Sequence, residues 1–119
     1  MRYMLLVYLD ERHPLTETER QECYVESAQL AQELHVSGHY LAASPLHPTS
    51  TATSVRMRDG KRFVTDGPFA ETREQLGGYF LIEAQDLDEA IRIAERIPAA
   101  RFGTVEVRPV VEIPGLPSQ

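Results

Sequence analysis

The chain has 119 residues, of which 42% are hydrophobic and 25% charged, and a formal net charge of −6. That length and balance describe one globular domain with a small core. The acidic balance argues against nucleic acid as a direct partner, because duplex binding needs clustered cations for the phosphates, and no apolar run approaches the ~20 residues of a membrane helix.

Tyr3 to Leu9 reads as a strand that is apolar on both faces, with Tyr3, Leu5, Val7 and Leu9 on one and Met4, Leu6 and Tyr8 on the other. This N-terminal stretch is too short, and too interrupted by polar groups, for a secretory signal. The single cysteine, Cys23, excludes an internal disulfide. Both features point to the cytoplasm, with no membrane partner. After a loop containing His13-Pro14, Thr16 to Gly38 is expected to be a helix, because Thr16 and Glu19 fit a capping box and Gly38 a C-terminal stop. Tyr24, Ala28, Ala31 and His35 form one stripe on it, with Cys23, Ser27, Leu30 and Leu34 beside them.

Tyr40 to Ser44 is a second, short strand ending at Pro45, and His47-Pro48 lies in the loop that follows. Asp59-Gly60, between Ser54–Arg58 and Lys61–Thr65, is a hairpin signal because both turn residues tolerate positive φ. Val55 and Met57 point one way from the first hairpin strand, Arg56 and Arg58 the other. Asp66-Gly67-Pro68-Phe69 is a stiff turn that can hold a carboxylate in a fixed direction. Thr72-x-x-Gln75 predicts a single helical turn, closed by Gly77-Gly78, before the strand Tyr79–Ala84. Asp86 to Ile97 is an amphipathic helix stopped by Pro98. Thr104 to Ile113 is the last strand, marked by Pro109 as an edge or a bulge. Residues 1–113 then form a single domain and residues 114–119 a C-terminal tail.

This order gives an α+β, ferredoxin-like fold with an antiparallel sheet and two helices on one face. The other sheet face is left apolar and open. Large exposed patches are rare on monomers, so a homodimer packed sheet to sheet is expected.

The run from Val64 to Ala84, VTDGPFAETREQLGGYFLIEA, resembles the signature of the DGPF-domain branch of the YCII-related proteins. The flanks at Arg2–Tyr8, Thr51–Arg56 and Gly103–Pro109 agree with it. The resemblance implies a dimeric α/β barrel. It also implies a His–Asp pair, in which Asp66 matches the acidic member. The histidine's place on the first helix falls near Ser27, where this chain has none. DGPF-domain proteins resemble partners of extracytoplasmic-function sigma factors, which adds a regulatory association to the expectations.

Asp66 is the first catalytic candidate. Beside an apolar pocket its pKa would rise, which suits a general acid or base; the plainer alternative is a turn cap. His47 is the candidate partner, with a surface loop histidine as its alternative. Arg56, Glu71, Arg73 and Tyr79 are candidates for binding a substrate, against the plainer readings of ion pairing and packing. His35 and His39 have metal-pair spacing, but Gly38 interrupts the helix between them and no third ligand stands at recognisable spacing, so no metal is expected. Cys23 lies in an apolar stripe and reads as a core thiol. No phosphate loop, dinucleotide fingerprint or nucleophile elbow occurs, and no cofactor is expected. Two functions fit these residues. One is a metal-independent enzyme acting on an unknown small molecule through Asp66. The other is a non-catalytic binding or regulatory module.

Overall fold

Alternation along β1 (Arg2–Leu9) decides the layering. Tyr3, Leu5 and Val7 are buried, while Met4, Leu6 and Tyr8 between them are only half-buried. The structure, a computed structural model, describes residues 1–117. β1 is followed by α1 (Glu17–Val36), β2 (Tyr40–Pro45), β3 (Thr53–Arg58), β4 (Lys61–Asp66), β5 (Gln75–Glu83), α2 (Leu87–Ala94) and β6 (Thr104–Pro109). Four strands form one sheet in the order β2-β5-β1-β6, and every pairing in it is antiparallel. Two helices on this sheet fit a ferredoxin-like arrangement. Among the described residues, β3 and β4 pair only with each other, in a separate two-stranded sheet. None of the described helices is long and apolar enough to cross a membrane.

Both helices pack on one side of the sheet. Leu30 and Leu34 of α1, and Ala90, Ile93 and Ala94 of α2, share one core cluster with Tyr3, Leu5, Val7, Phe80 and Ile82. The register explains the sharing: Tyr3 stands opposite Ile82 and Leu5 opposite Phe80, so all four point the same way. Met4 opposite Leu81 and Leu6 opposite Tyr79 form the other, helix-free face. Leu81, although buried, stands outside that cluster.

Both helices are capped, α1 by the box that its sequence predicts. Thr16 and Glu19 make both bonds of the capping box, and the Asp86 carboxylate accepts from the Glu89 N–H. Four expectations change. The helical turn at Thr72–Gln75 does not form, because β5 begins at Gln75 and pairs it with Leu9. The Gln75 amide instead donates to the Ala70 and Thr72 carbonyls and shapes the preceding loop. Gly77-Gly78 therefore lies inside a strand. Gly77 has no partner in β1, where the register slips between Val7 and Tyr8, a bulge a local capping signal cannot reveal. α2 stops at Ala94, and Pro98 opens a separate 3-10 turn, Pro98–Arg101, rather than ending the helix. β6 ends at Pro109 instead of Ile113 because Pro109 has no N–H for the ladder, although the Val110 N–H still donates to Arg2 O. On α1 the core row is Leu30 and Leu34 with half-buried Cys23, Ser27 and Ala31, whereas Tyr24, Ala28 and His35 are exposed.

Candidate functional site

The hairpin and the loop after it form an arm outside the four-stranded sheet. Its turn is the one its residues require, with Asp59 at φ 51° and Gly60 at φ 74°. Register then sorts the side chains. Arg56 faces Phe63, Arg58 faces Lys61 and Ser54 faces Thr65 on one side. Val55 faces Val64, Met57 faces Arg62 and Thr53 faces Asp66 on the other. Gly67, at φ 96°, is pinned twice: its N–H donates to Ala52 O at 2.7 Å, and its carbonyl accepts from the Ser54 hydroxyl at 2.8 Å. That double tether fixes where Pro68 and Phe69 leave the arm.

An open cleft of about 450 Å³ lies on the Arg56 side, lined chiefly by Arg56, Arg58, Phe63, Pro68 and Phe69. The Arg58 guanidinium donates to the neighbouring Met57 carbonyl at 2.9 Å. Among the described residues, neither arginine is in an ion pair. The cleft thus offers two un-neutralised guanidiniums beside two phenyl rings. Such forks match carboxylate or phosphate oxygens, and the rings suit an apolar body.

The predicted site residues divide among five places. Arg56 lines the cleft. Asp66, the last residue of β4, stands on the opposite face of the arm with Val55 and Val64. Its carboxylate makes no hydrogen bond or ion pair among the described residues, so it does not cap the turn. His47 is exposed in the loop after β2, and no bond joins it to Asp66. That loop is anchored where the Thr49 N–H and hydroxyl donate to the Glu11 carboxylate. Glu71 and Arg73 are exposed in the segment before β5. Tyr79 lies half-buried on the helix-free sheet face, between Leu6 and Ser44.

Sequence reasoning missed Phe63, because an aromatic residue in a strand-like run reads as core, and Phe69, because the turn it closes was read for Asp66 and its backbone alone. It also missed a polar pair on the helix-free face, where the Tyr8 hydroxyl donates to Glu106 Oε1 at 3.3 Å. Burial, and then the Glu106 carboxylate, push the Tyr8 phenol up. The two residues are diagonal neighbours across β1 and β6. Their one sequence signal was Tyr8's place on the same face as Met4 and Leu6.

The remaining candidates have local explanations. The His39 ring meets the Ser37 hydroxyl at 2.7 Å through Nδ1 and Glu89 Oε1 at 3.3 Å through Nε2. His35 sets its ring edge-on to Tyr40, with centroids 6.3 Å apart. Burial pushes the half-buried Cys23 thiol up, away from the reactive thiolate.

A family model described as the YCII-related domain matches residues 1–114. An uncharacterised protein of Rhizobium meliloti (strain 1021), R00369, is 37% identical over 114 residues, spanning 92% of this chain and 92% of the relative.

Proposed function

The chain belongs to the YCII-related family, and from that premise we propose that it is a homodimeric binding module for a small organic anion, within the family's DGPF branch. One observation carries this reading. In a chain of net charge −6, Arg56 and Arg58 stand together, unpaired with any described acid, against Phe63 and Phe69 in one cleft. A carboxylate or phosphate with an aromatic or aliphatic body fits that chemistry. The sheet supports the dimer. Met4, Leu6 and Tyr79 are half-buried beside the buried Leu81 on the sheet face that no helix covers, and a second copy packed face to face would complete the dimeric α/β barrel. Ligand sensing beside an extracytoplasmic-function sigma factor is the regulatory role this proposal assigns.

A second reading, metal-independent acid/base catalysis, rests on the unpaired Asp66 carboxylate at a strand end pinned through Gly67. Its proton-transfer partner would be His47 or Tyr79. The two readings separate in one experiment. Titration calorimetry with benzoate, phenyl phosphate and inorganic phosphate should detect binding that Arg56→Ala and Arg58→Ala each weaken at least tenfold. Retention of that binding in Asp66→Asn supports the module. A substrate whose turnover disappears in Asp66→Asn, with its binding intact, establishes the enzyme instead. If none of the three probes binds the wild-type protein, the anion site is wrong.

A further inference from the structure

The hairpin register gives the cleft side of the arm more charge than its two arginines. Cross-strand partners point to the same side of a sheet, so Ser54, Arg56 and Arg58 of β3 share one face with Lys61, Phe63 and Thr65 of β4. That face carries three cations and no acid. The opposite face carries Arg62 and Asp66, and its formal charge is zero. Across the whole chain, 18 acidic side chains outnumber 12 basic ones, so a wholly cationic face runs against the average.

Arg58 and Lys61 stand directly opposite one another, one step towards the tip from Arg56 and Phe63. Like charges in that position repel and weaken a hairpin. Among the described residues, no ion pair relieves them, and Asp59 in the turn is in none either. The Arg58 bond to the Met57 carbonyl uses one donor and leaves the charge intact. An anion placed between these side chains would turn the repulsion into attraction.

The number of cations discriminates between anions. A carboxylate brings one charge and two coplanar oxygens, which a single guanidinium fork satisfies. A phosphate monoester brings a charge of about −1.5 to −2 at pH 7 and three terminal oxygens. Those oxygens can accept from Arg56, Arg58 and Lys61 together. The Arg56 and Arg58 side chains start about 7 Å apart along β3, a span their long stems close. Beyond them towards the body come Phe63, then Thr65, then Phe69 after the tethered Gly67. Phe69 is 80% exposed and Phe63 49%, so both rings have a face free to stack.

We propose that the cleft takes an aromatic phosphate monoester, its phosphate held at the tip by Arg56, Arg58 and Lys61 and its ring laid on Phe63 and Phe69. Lys61 is then the residue that separates phosphate from carboxylate. This inference rests on the anion-binding reading and narrows it to one class of ligand.

Titration calorimetry of the full chain at low salt with phenyl phosphate, methyl phenyl phosphate and benzoate tests it, because the three share a ring and differ in the anionic group. Phenyl phosphate should bind at least tenfold more tightly than either monoanion. Lys61→Ala should weaken phenyl phosphate at least fivefold and benzoate less than twofold. Lys61→Arg should keep phenyl phosphate within twofold of the wild type, which separates lost charge from a damaged hairpin. Phe63→Ala should bring phenyl phosphate down towards inorganic phosphate. Benzoate binding as tightly as phenyl phosphate, or a Lys61→Ala change that weakens both alike or neither, overturns the phosphate assignment and leaves the anion cleft standing. Failure of every probe to bind overturns both. A single-stranded oligonucleotide that binds more tightly than phenyl phosphate also overturns it, since its phosphates are singly charged diesters and the cations would then follow a nucleic-acid backbone.

Discussion

The body and the arm are both antiparallel β-structure with apolar cross-strand pairs, yet they reach opposite ends of the burial scale. In the body, Leu5 and Ile82 are fully enclosed between sheet and helices. In the arm, Val55 and Val64 form an equally good cross-strand pair and remain in solvent. The difference is the second layer. α1 and α2 each lay apolar residues over β1 and β5, while among the described residues no element buries β3 and β4. Strand pairing satisfies the backbone in both regions, but only layer packing removes apolar surface from water. The body is therefore stabilised within one chain, whereas the arm's apolar face depends on what meets it.

The sharpest way to break this contrast is to add one methyl group in each region. A Cβ built at Gly103 would lie 2.2 Å from the Tyr8 carbonyl oxygen and 2.9 Å from Leu9 Cδ2. Neither β1 nor the turn before β6 can move without disturbing the ladder between them. Gly103→Ala should cost about 4 kcal/mol or more, in the range reserved for severe core lesions. At Gly67 the same methyl meets nothing within 4 Å, and only its φ of 96° opposes it. Gly67→Ala should cost about 1–2 kcal/mol. Urea unfolding of the two variants checks the ranking, and a Gly67→Ala chain less stable than Gly103→Ala would refute it.

Removing side chains sharpens the comparison further. Ile82→Ala should destabilise by about 3 kcal/mol, because the space it leaves is bounded by the packed sheet and helices. Val64→Ala should change the stability of a monomer by less than about 0.5 kcal/mol. Urea unfolding of both variants reads the difference, since Val64 is about half exposed and leaves no enclosed cavity. A concentration-independent loss at Val64 near that of Ile82 would mean that the arm packs on its own body.

The features legible in the sequence were those fixed by neighbouring residues. Asp59-Gly60 forces its turn, Thr16 and Glu19 close their capping box, and Arg56 and Val55 diverge because strand side chains alternate. The element order in turn gave the sheet and its two helices. What stayed hidden depends on which element lies opposite. Thr72 and Gln75 carry a helical signal, but pairing between Gln75 and Leu9 overrides it, and Gly77 becomes a bulge. The sequence grouped Asp66 with Arg56, although the hairpin register sets them on opposite faces. Phe63 and Phe69 were not candidates because whether an aromatic residue is core or cleft follows from the layer above it, which no local pattern encodes.

The smallest expected effect concerns the carboxylates that tie the body together, and it shows as a dependence on acid. Asp10 is held well below the usual carboxylate range, first by its hydrogen bonds from the Arg12 guanidinium. Glu19 is lowered by the Thr16 N–H, Glu26 by the Arg101 side chain and Glu89 by the Gln85 N–H. All four folded pKa values lie below the unfolded ones, so the fold favours the ionised form. Their stabilisation is complete above the unfolded values, 3.8 for Asp and 4.5 for Glu, and is lost as pH falls through the folded values. The melting temperature should therefore be flat from pH 7 to about 5 and fall below about 4.5. Glu26 and Arg101 join α1 to the 3-10 turn after α2, so their loss loosens the layer that distinguishes body from arm. Arg101→Ala should remove part of the acid-dependent fall while lowering the melting temperature at pH 7 only slightly, because exposed ion pairs contribute little. A melting temperature that rises as pH drops from 5 to 3 would show that the fold favours the protonated forms, and that these contacts do not hold the helix layer.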